Sequence, residues 1–331
     1  MMKKGLFLVL AIFAAIALVG CGKTAEEKDD AIKVAIALTG AKTDGGWNQT
    51  AYNGMLKIEE ELGGEISFNE NTQAADYERV MRDYAKAGND VVIGHGFQFS
   101  DAALKVGEEF PDVIFIVTST NVTNNKNVGS LNNDYLQAGF LKGAFAALMT
   151  KSNVIGGVGG ADIPPIQNDM KGYIAGAKYI NPSIKVVSAM TGSGDDANKA
   201  KEQALAFIAQ GADIVMGNAN AASRGVHLAA QEKGVFSIAS ISAEFDTYNK
   251  GLLAVAKADM ATAIFTAVKS IQEGTYEAKF ELMGVKQGIV TWEYSNVLKS
   301  SIPADVLTKM DEIKEKLSSG EIDVAKLVPA S

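Results

Sequence analysis

The sequence predicts an α/β protein built from two similar lobes. The chain has 331 residues, and at about 150 residues per domain this length favours two domains. Short apolar runs alternate with amphipathic stretches at intervals of roughly 25 residues, which is typical of parallel strands connected by helices. Residues 83–94 (DYAKAGNDVVIG) and 206–217 (AFIAQGADIVMG) share the order helix, Gly turn, Asp, strand. This likeness indicates that the second half of the chain repeats the design of the first.

The predicted elements follow from these runs. The predicted strands, all short, apolar and rich in β-branched residues, are 33–39, 65–69, 90–94, 112–117, 153–159, 184–190, 213–217 and 235–240. Continuous apolar runs of this kind suit parallel strands that are buried on both faces. The amphipathic stretches predicted as helices include 48–62, 76–87, 135–149, 197–210 and 222–233.

Composition excludes several classes of protein. With 47% hydrophobic and 21% charged residues, the chain is a folded globular protein rather than a disordered or collagen-like one. A net charge of −8 without a basic cluster argues against nucleic acid as a partner. A single Cys excludes an intramolecular disulfide and a Cys-based zinc site, and two His leave little for a His-based metal centre. We therefore expect neither a metal nor a cofactor.

The first 20 residues are typical of a secretory signal. Lys3 and Lys4 precede an uncharged apolar run of 14 residues, which is shorter than the roughly 20 residues that a spanning helix needs. The only Cys, Cys21, follows Leu-Val-Gly and resembles the lipidated Cys of a bacterial lipobox. We expect an extracytoplasmic mature chain that starts at Cys21 and is anchored by lipid, with 21–32 as a polar tether. The alternative is an ordinary signal peptide with an accidental Cys.

Catalytic chemistry is poorly represented. His95 lies beside Ser100 and Asp101, but neighbours in one loop rarely point at one another, and His227 sits in the middle of a predicted helix. The chain contains no HExxH, GxSxG or Walker A motif, and no Asp-rich metal cluster. The Gly-rich segment 156–162 departs from GxGxxG and leads into Pro-Pro instead of a helix start. The sequence therefore favours a binding protein over an enzyme.

Four loops that follow predicted strands carry binding chemistry, and ligands of open α/β sheets bind beyond the carboxyl ends of the strands. The first two loops provide these candidates: Asp44, Trp47, Asn48, His95 and Phe97. A Trp or Phe face can carry a planar ring, while carboxylate and amide groups make directional hydrogen bonds. The alternatives are that Asp44 or Asn48 caps the next helix and that Trp47 belongs to the core.

The other two loops add amides and charges. Their candidates are Asn218, Asn220, Glu244, Asp246 and Lys257. The alternative for Asn220 is capping of the next helix, and the alternative for Glu244, Asp246 and Lys257 is a solvated loop. Together the four loops indicate a ligand with a planar ring and hydroxyl groups.

At these residues the chain resembles the basic membrane protein family, the purine-nucleoside-receptor-like solute-binding lipoproteins of ABC transporters. Six stretches match the family in order over about residues 32–300: Asp44 with Trp47-Asn48 before Gly54; Gly94-His95-Gly96-Phe97; Phe140-Leu141-Lys142-Gly143; Gly159-Gly160 with Ile163-Pro164-Pro165; Gly192-Ser193 with Asp196, Lys199 and Lys201; and Lys257.

The resemblance implies a type-I periplasmic binding protein fold. Two Rossmann-like lobes, joined by a hinge of three crossovers, would close on the ligand. On this basis we expect residues 33–130 plus about 240–275 in the N-terminal lobe, and 131–239 plus about 276–331 in the C-terminal lobe. A monomer that delivers a small molecule to an ABC permease is the expected assembly.

The resemblance also implies roles for individual residues. Asp44 and Asn48 would read the edge of a purine base, Trp47 and Phe97 would stack on it, and Lys257 with Glu244 or Asp246 would hold the hydroxyls. Gly194 stands where the family has an aromatic residue, and GNANAASRG (217–225) replaces a Gly-rich loop. These departures leave open another polar solute, such as a free base or a sugar. A second alternative is a sensory receptor domain. A third is a secreted nucleoside hydrolase, although the sequence shows no carboxylate cluster that could hold a metal or activate water.

Overall fold

The computed structural model describes residues 31–240 and 244–328. The strands in these ranges are β1 (Lys33–Leu38), β2 (Glu65–Asn69), β3 (Val91–His95), β4 (Ile114–Thr118), β5 (Val128–Asn133), β6 (Val154–Gly159), β7 (Lys185–Met190), β8 (Ile214–Asn218), β9 (Phe236–Ala239), β10 (Leu252–Ala258), β11 (Phe280–Met283) and β12 (Val290–Tyr294). The predicted signal peptide, Cys21 and nearly all of the tether lie outside the described residues.

Helices alternate with these strands. The helices in the same ranges are α1 (Trp47–Leu62), α2 (Tyr77–Lys86), α3 (Ser100–Glu109), α4 (Tyr135–Met149), α5 (Pro164–Ile180), α6 (Ala197–Ala209), α7 (Ser223–Lys233), α8 (Glu244–Thr247), α9 (Met260–Gln272), α10 (Ala304–Ser319) and α11 (Val324–Leu327). Short 3-10 turns precede α2, α3, α7 and α10.

The first lobe is a six-stranded parallel sheet in the order β11-β5-β4-β3-β1-β2. Successive side chains of its inner strands enter different cores: Ile36 packs with residues of α1 and α9, whereas Ala37 packs with residues of α2 and α3. Because side chains alternate between the faces of a strand, an inner strand covered by helices on both faces must be apolar throughout.

The second lobe repeats this design with the order β12-β10-β9-β8-β6-β7. Its sheet is parallel except for β12, which pairs antiparallel to β10. One face packs on α4, α5 and α10, and the other packs on α6 and α7. The predicted α/β class and the two-lobed architecture are confirmed.

The chain passes between the lobes at a different place from the one predicted. We expected 240–275 in the N-terminal lobe and 276–331 in the C-terminal lobe. Instead β10 continues the second sheet beside β9, so the chain reaches the first lobe only at α9, which packs on α1. Strand β11 then pairs with β5 in the first sheet before β12 returns to the second. The lobes of the described chain are thus joined after β5, after β10 and after β11.

Helices α4 and α5 pack unusually closely through glycine. A Cβ at Gly139 or Gly143 would collide with backbone oxygens of α5, and a Cβ at Gly172 or Gly176 would collide with backbone oxygens of α4. Backbones can approach in this way only where side chains are absent. This contact brings the facing side chains of the two helices close together.

Candidate ligand-binding cleft

A cleft of about 630 Å³ is lined by residues of both lobes. Its first wall comes from the loops after β1, β2, β3 and β4, and its second wall comes from α4, α5, β10 and the loops after β6, β7, β8 and β9. The cleft therefore lies at the carboxyl ends of both sheets, where open α/β sheets bind ligands. Its volume is in the range of small-molecule sites.

Asp44 lies in the loop between β1 and α1 and lines the cleft. Its carboxylate accepts hydrogen bonds from the backbone N–H groups of Gly46 at 2.8 Å, Asn48 at 3.1 Å and Gln49 at 3.1 Å. Burial by itself would raise the pKa of Asp44, but these bonds and one from the Asn48 side chain bring the pKa below its ordinary value. Asp44 is therefore an ionised group that also holds the first turn of α1.

Asn48 fixes the same loop from inside. Its side-chain oxygen accepts from the backbone N–H of Gly40 at 3.2 Å, and its Nδ2 donates to Asp44 at 3.0 Å. The residue is 6% exposed and lines the cleft. Most of its hydrogen-bonding capacity is used within the protein, which leaves one N–H of the amide for a ligand.

Trp47 lines the cleft with its ring stacked on His95, at a centroid distance of 4.1 Å and an interplanar angle of 23°. His95 is completely buried and does not line the cleft, so its position does not support the predicted ligand contact. It supports Trp47 instead: His95 Nε2 lies 3.1 Å from the Trp47 carbonyl oxygen, and Nδ1 lies 2.9 Å from Thr118 Oγ1.

These contacts determine the tautomer and the charge of the His95 ring. Because a carbonyl oxygen only accepts, the proton is on Nε2, and Nδ1 accepts from the hydroxyl of Thr118. Burial lowers the pKa of His95 to about 4, although the Trp47 carbonyl and the charge of Asp44 act in the opposite direction. The ring beneath Trp47 is therefore neutral at neutral pH.

Phe97 and Gln98 line the first wall from the 3-10 turn that follows β3. The turn begins after Gly96, whose φ of +122° is a conformation that side-chain-bearing residues rarely adopt. The backbone N–H of Gly96 donates to Thr118 Oγ1 at 2.9 Å, which fixes the start of the turn. A glycine at this point thus presents Phe97 to the cleft.

Asn218 and Asn220 line the second wall after β8. Asn220 adopts a left-handed φ of +46°, a region that Asn tolerates better than most residues. Its side-chain oxygen accepts from the backbone N–H of Trp47 at 2.9 Å. Asn220 therefore contacts the opposite lobe as well as lining the cleft.

Two of the three predicted hydroxyl-binding charges, Asp246 and Lys257, do not line the cleft. Asp246 is exposed and Lys257 pairs with Asp259 at 3.1 Å, and neither lines the cleft. Ala256 and Ala258 line it instead, because alternate residues of β10 point in opposite directions. The side chain of Glu244 lies outside the described residues.

A buried ion pair that the sequence did not reveal lies in the second wall. Lys142 on α4 and Asp169 on α5 are each 1% exposed, and Lys142 Nζ lies 2.7 Å and 2.9 Å from the two carboxylate oxygens. The same ammonium donates to Ser240 Oγ at 2.8 Å, and all three residues line the cleft. The available signal was the lysine, the one charged residue of the mostly apolar helix YLQAGFLKGAFAALM, since Lys is almost never fully buried unless it is paired.

Two hydroxyl groups, one directly after β4 and one at the start of α4, were also missed. Ser119 Oγ and Tyr135 OH lie 3.2 Å apart, and both residues line the cleft. Burial raises the pKa of Tyr135, so its phenol is a neutral donor or acceptor.

Two further properties concern metals and membranes. Across 31–240 and 244–328, His, Cys, Asp and Glu side chains form no group of three or more that could hold a metal ion. No helix of the described residues combines the length and apolar composition needed to cross a bilayer.

Comparison with known proteins identifies the family. The model of the PnrA-like ABC transporter substrate-binding proteins matches residues 31–326. A purine-binding protein of Brucella abortus is 26% identical over 320 residues, which cover 96% of this chain and 88% of the relative. The ABC transporter nucleoside-binding protein BmpA of Lactococcus lactis is 30% identical over 237 residues, 68% of each chain.

Solved structures show the same fold. An ABC transporter solute-binding protein from Aeropyrum pernix superposes with a TM-score of 0.78 at 22% identity, over 88% of this chain and 92% of that one. The predicted fold of two hinged α/β lobes is therefore that of solute-binding proteins. The chain belongs to the family of PnrA-like ABC transporter substrate-binding proteins.

Proposed function

We propose that this substrate-binding protein takes up a purine nucleoside or nucleobase in the cleft and delivers it to an ABC permease. The observation that carries the proposal is the supported ring of Trp47. His95 covers one face of that ring, so a ligand in the cleft meets the other face. Stacking of a base on an aromatic side chain contributes about 1–3 kcal/mol.

Polar groups beside Trp47 fit the edge of a base. The ionised Asp44 carboxylate accepts hydrogen bonds, and Asn48 has one amide N–H left to donate. A purine combines a planar aromatic face for Trp47 with both donors and acceptors on its edges, whereas a sugar would offer Trp47 only a puckered face of C–H bonds. The names of the relatives from Brucella abortus and Lactococcus lactis support the same ligand class.

Calorimetric titration of the purified protein tests this proposal. Adenosine, guanosine, inosine and the matching bases are the ligands, with glucose and ribose as controls. We expect saturable binding of at least one purine and none of either sugar. Binding of a sugar without any purine would show that the ligand class is wrong.

We further propose that the protein transports its ligand without changing it. The described part of the cleft brings together an ion pair, amides and hydroxyls. Chromatography of a bound nucleoside after prolonged incubation with the protein distinguishes binding from hydrolysis. We expect the intact nucleoside, and release of free base and ribose would identify a hydrolase.

We propose that lipid on Cys21 anchors the protein outside the cytoplasm. The proposal rests on the position of the only Cys, directly after the Leu-Val-Gly end of an apolar run. Cys21→Ser should release the protein from membranes without changing its affinity for ligand. A Cys21→Ser protein that still sediments with membranes after a high-salt wash would contradict lipidation at this residue.

A further inference from the structure

The buried pair Lys142–Asp169 stands in the wall of the cleft, where it can act on a ligand. We propose that Lys142, Asp169 and Ser240 form a subsite that binds an uncharged hydroxyl-bearing part of the ligand and rejects phosphorylated ligands. This inference rests on the proposed function and assigns the ribose end of a nucleoside to these three residues.

Stability does not account for the pair. Removing two charges from water is costly, and well-packed apolar residues often stabilise a core equally well or better. The neighbours Phe140, Leu141 and Ala144 on α4 are completely buried and apolar, so an apolar pair would suit the same surroundings. Among the ion pairs of the described residues, Lys142–Asp169 is the only one in which both side chains are just 1% exposed. A costly pair in the wall of a binding cleft indicates a role in binding.

The hydrogen-bonding capacity of the group suits a hydroxyl. A carboxylate offers about four acceptor positions, and the bonds of Asp169 that the structure shows come from Lys142 alone. Ser240 accepts from Lys142, and within 31–240 and 244–328 the structure shows one acceptor for its own proton, the Gly217 carbonyl oxygen at 3.5 Å, the limit of a hydrogen bond. A ligand hydroxyl can donate to Asp169 and accept from Ser240, so it satisfies both groups.

The charge of the cleft opposes an anion. The charged residues lining the described cleft are one cation, Lys142, and three carboxylates, Asp44, Asp169 and Asp195. The cation is already paired with Asp169. A phosphate monoester, with a charge of about −1.5 to −2 at neutral pH, would therefore face carboxylates without a free cation.

The positions of Trp47 and of the Lys142–Asp169 pair suit a single ligand that bridges the two lobes. Trp47 belongs to the first lobe, and Lys142 and Asp169 belong to the second. A ligand that stacks on Trp47 and places hydroxyls at the ion pair contacts both lobes at once. Such a ligand stabilises the closed arrangement, whereas a free base has nothing to place at the pair.

The experiment compares four forms of one ligand by calorimetry. The purine that wild type binds best among adenosine, guanosine and inosine is tested with its free base, its 2′,3′-dideoxy form and its 5′-monophosphate. Hydrogen bonds to charged groups change affinity by roughly 10- to 100-fold. In wild type we expect a loss of roughly that size for the dideoxy form and a larger one for the monophosphate.

The double variant Lys142→Met/Asp169→Leu removes both charges and leaves neither unpaired. We expect it to melt near wild type and to bind the nucleoside roughly 10- to 100-fold more weakly, while its affinity for the dideoxy form and the base is unchanged. Lys309→Ala/Glu312→Ala is the matched control, because this pair on α10 is about half exposed, at 48% and 49%. The control should bind all four ligands as wild type does.

Two results would overturn the subsite while nucleoside binding stands: equal wild-type affinity for the nucleoside and its dideoxy form, or wild-type affinity in a folded double variant. If the double variant does not fold, the dideoxy comparison in wild type decides by itself. A wild-type protein that binds no base and no nucleoside overturns the proposed function, and the subsite with it.

Discussion

The backbone N–H of Trp47 donates a hydrogen bond of 2.9 Å to the side-chain oxygen of Asn220 in the opposite lobe. Trp47 also stacks on His95 and lines the cleft. The same residue thus supplies a ring surface for a ligand and a direct contact between the lobes. Because a ligand favours the state to which it binds more tightly, stacking on Trp47 should favour the closed arrangement.

Loss of the contact across the cleft should weaken ligand binding. Asn220→Gly removes the acceptor and tolerates the left-handed backbone at φ +46°. One neutral hydrogen bond contributes about 0.5–1.5 kcal/mol, so we expect nucleoside affinity to fall roughly 2- to 12-fold. Asn220→Asp keeps an acceptor and should lose less. Titration calorimetry measures the affinity of both variants for the nucleoside. Wild-type affinity in Asn220→Gly would show that this hydrogen bond does not contribute to closure.

Closure itself can be observed by small-angle scattering. A saturating nucleoside should reduce the radius of gyration of wild type by roughly an ångström or two, as expected for a hinge motion. Asn220→Gly should show a smaller change at the same fractional saturation. An unchanged scattering curve for saturated wild type would contradict a closing trap.

Substitution of Trp47 tests the ligand class. Trp47→Ala removes a stacking contribution of about 1–3 kcal/mol, which corresponds to roughly 5- to 150-fold in nucleoside affinity. Trp47→Phe keeps an aromatic face and should keep most of the affinity. Thermal melting is measured on the same samples. A lower melting temperature with unchanged affinity of the folded protein would show that Trp47 acts only as packing for His95.

His95 should make stability depend on pH. Its pKa is about 4 in the folded protein against about 6.5 in an unfolded chain. Between these values the unfolded state binds a proton that the folded state does not, so stability is complete above about pH 6.5 and falls as the pH drops towards 4. The difference is at most about 3 kcal/mol.

The control for this prediction is His95→Gln. The amide of Gln can donate to the Trp47 carbonyl but does not titrate. Both proteins contain the same carboxylates, including Asp44, so the difference between their pH dependences reports on His95. Urea unfolding between pH 7 and 4.5 should give a steeper loss of stability for wild type than for His95→Gln. Parallel curves would show that the buried ring does not titrate as its surroundings indicate.

The contact between α4 and α5 predicts an unusual effect of alanine. At an exposed position inside a helix, Gly→Ala stabilises the protein by about 1 kcal/mol. A Cβ at Gly143, however, would collide with the backbone oxygen of Tyr173. We expect Gly143→Ala to lower the free energy of unfolding by about 1–3 kcal/mol. At Gly194 the nearest atom to an added Cβ is 3.5 Å away, so Gly194→Ala is the control. Equal stabilities by chemical denaturation would contradict this close packing.

Part of the fold is evident in the sequence because burial leaves a local pattern. The predicted strands all overlap observed ones, β1 to β4 and β6 to β9. Six of them are inner parallel strands, which are apolar on both faces, and β2 and β7 lie at the sheet edges. Strands β5, β10, β11 and β12 were missed, β10 because its residues were interpreted as part of a loop. Strand β5 reads VGSLNN, with polar residues at its end, and β11 and β12 are short strands at the sheet edges.

Part of the site is evident for a related reason. Loops at the carboxyl ends of parallel strands meet at one edge, so Asp44, Trp47 and Phe97 line the cleft from loops that the sequence marks. The same reasoning placed Lys257 at the cleft, which it does not line, because the boundaries of β10 decide which of its residues face the cleft. A local pattern locates a loop more reliably than it orients a side chain.

The sequence by itself determined the class of fold, the family and several loops that line the cleft, because these depend on periodic burial and on short motifs. Tertiary structure decided which side chains meet. Trp47 and Asn220 are 173 positions apart, and Lys142 and Asp169 are 27 apart on two helices that glycines bring together. Such pairs leave no periodic signal, since their contact depends on how closely the helices pack and on how the two lobes close over the cleft.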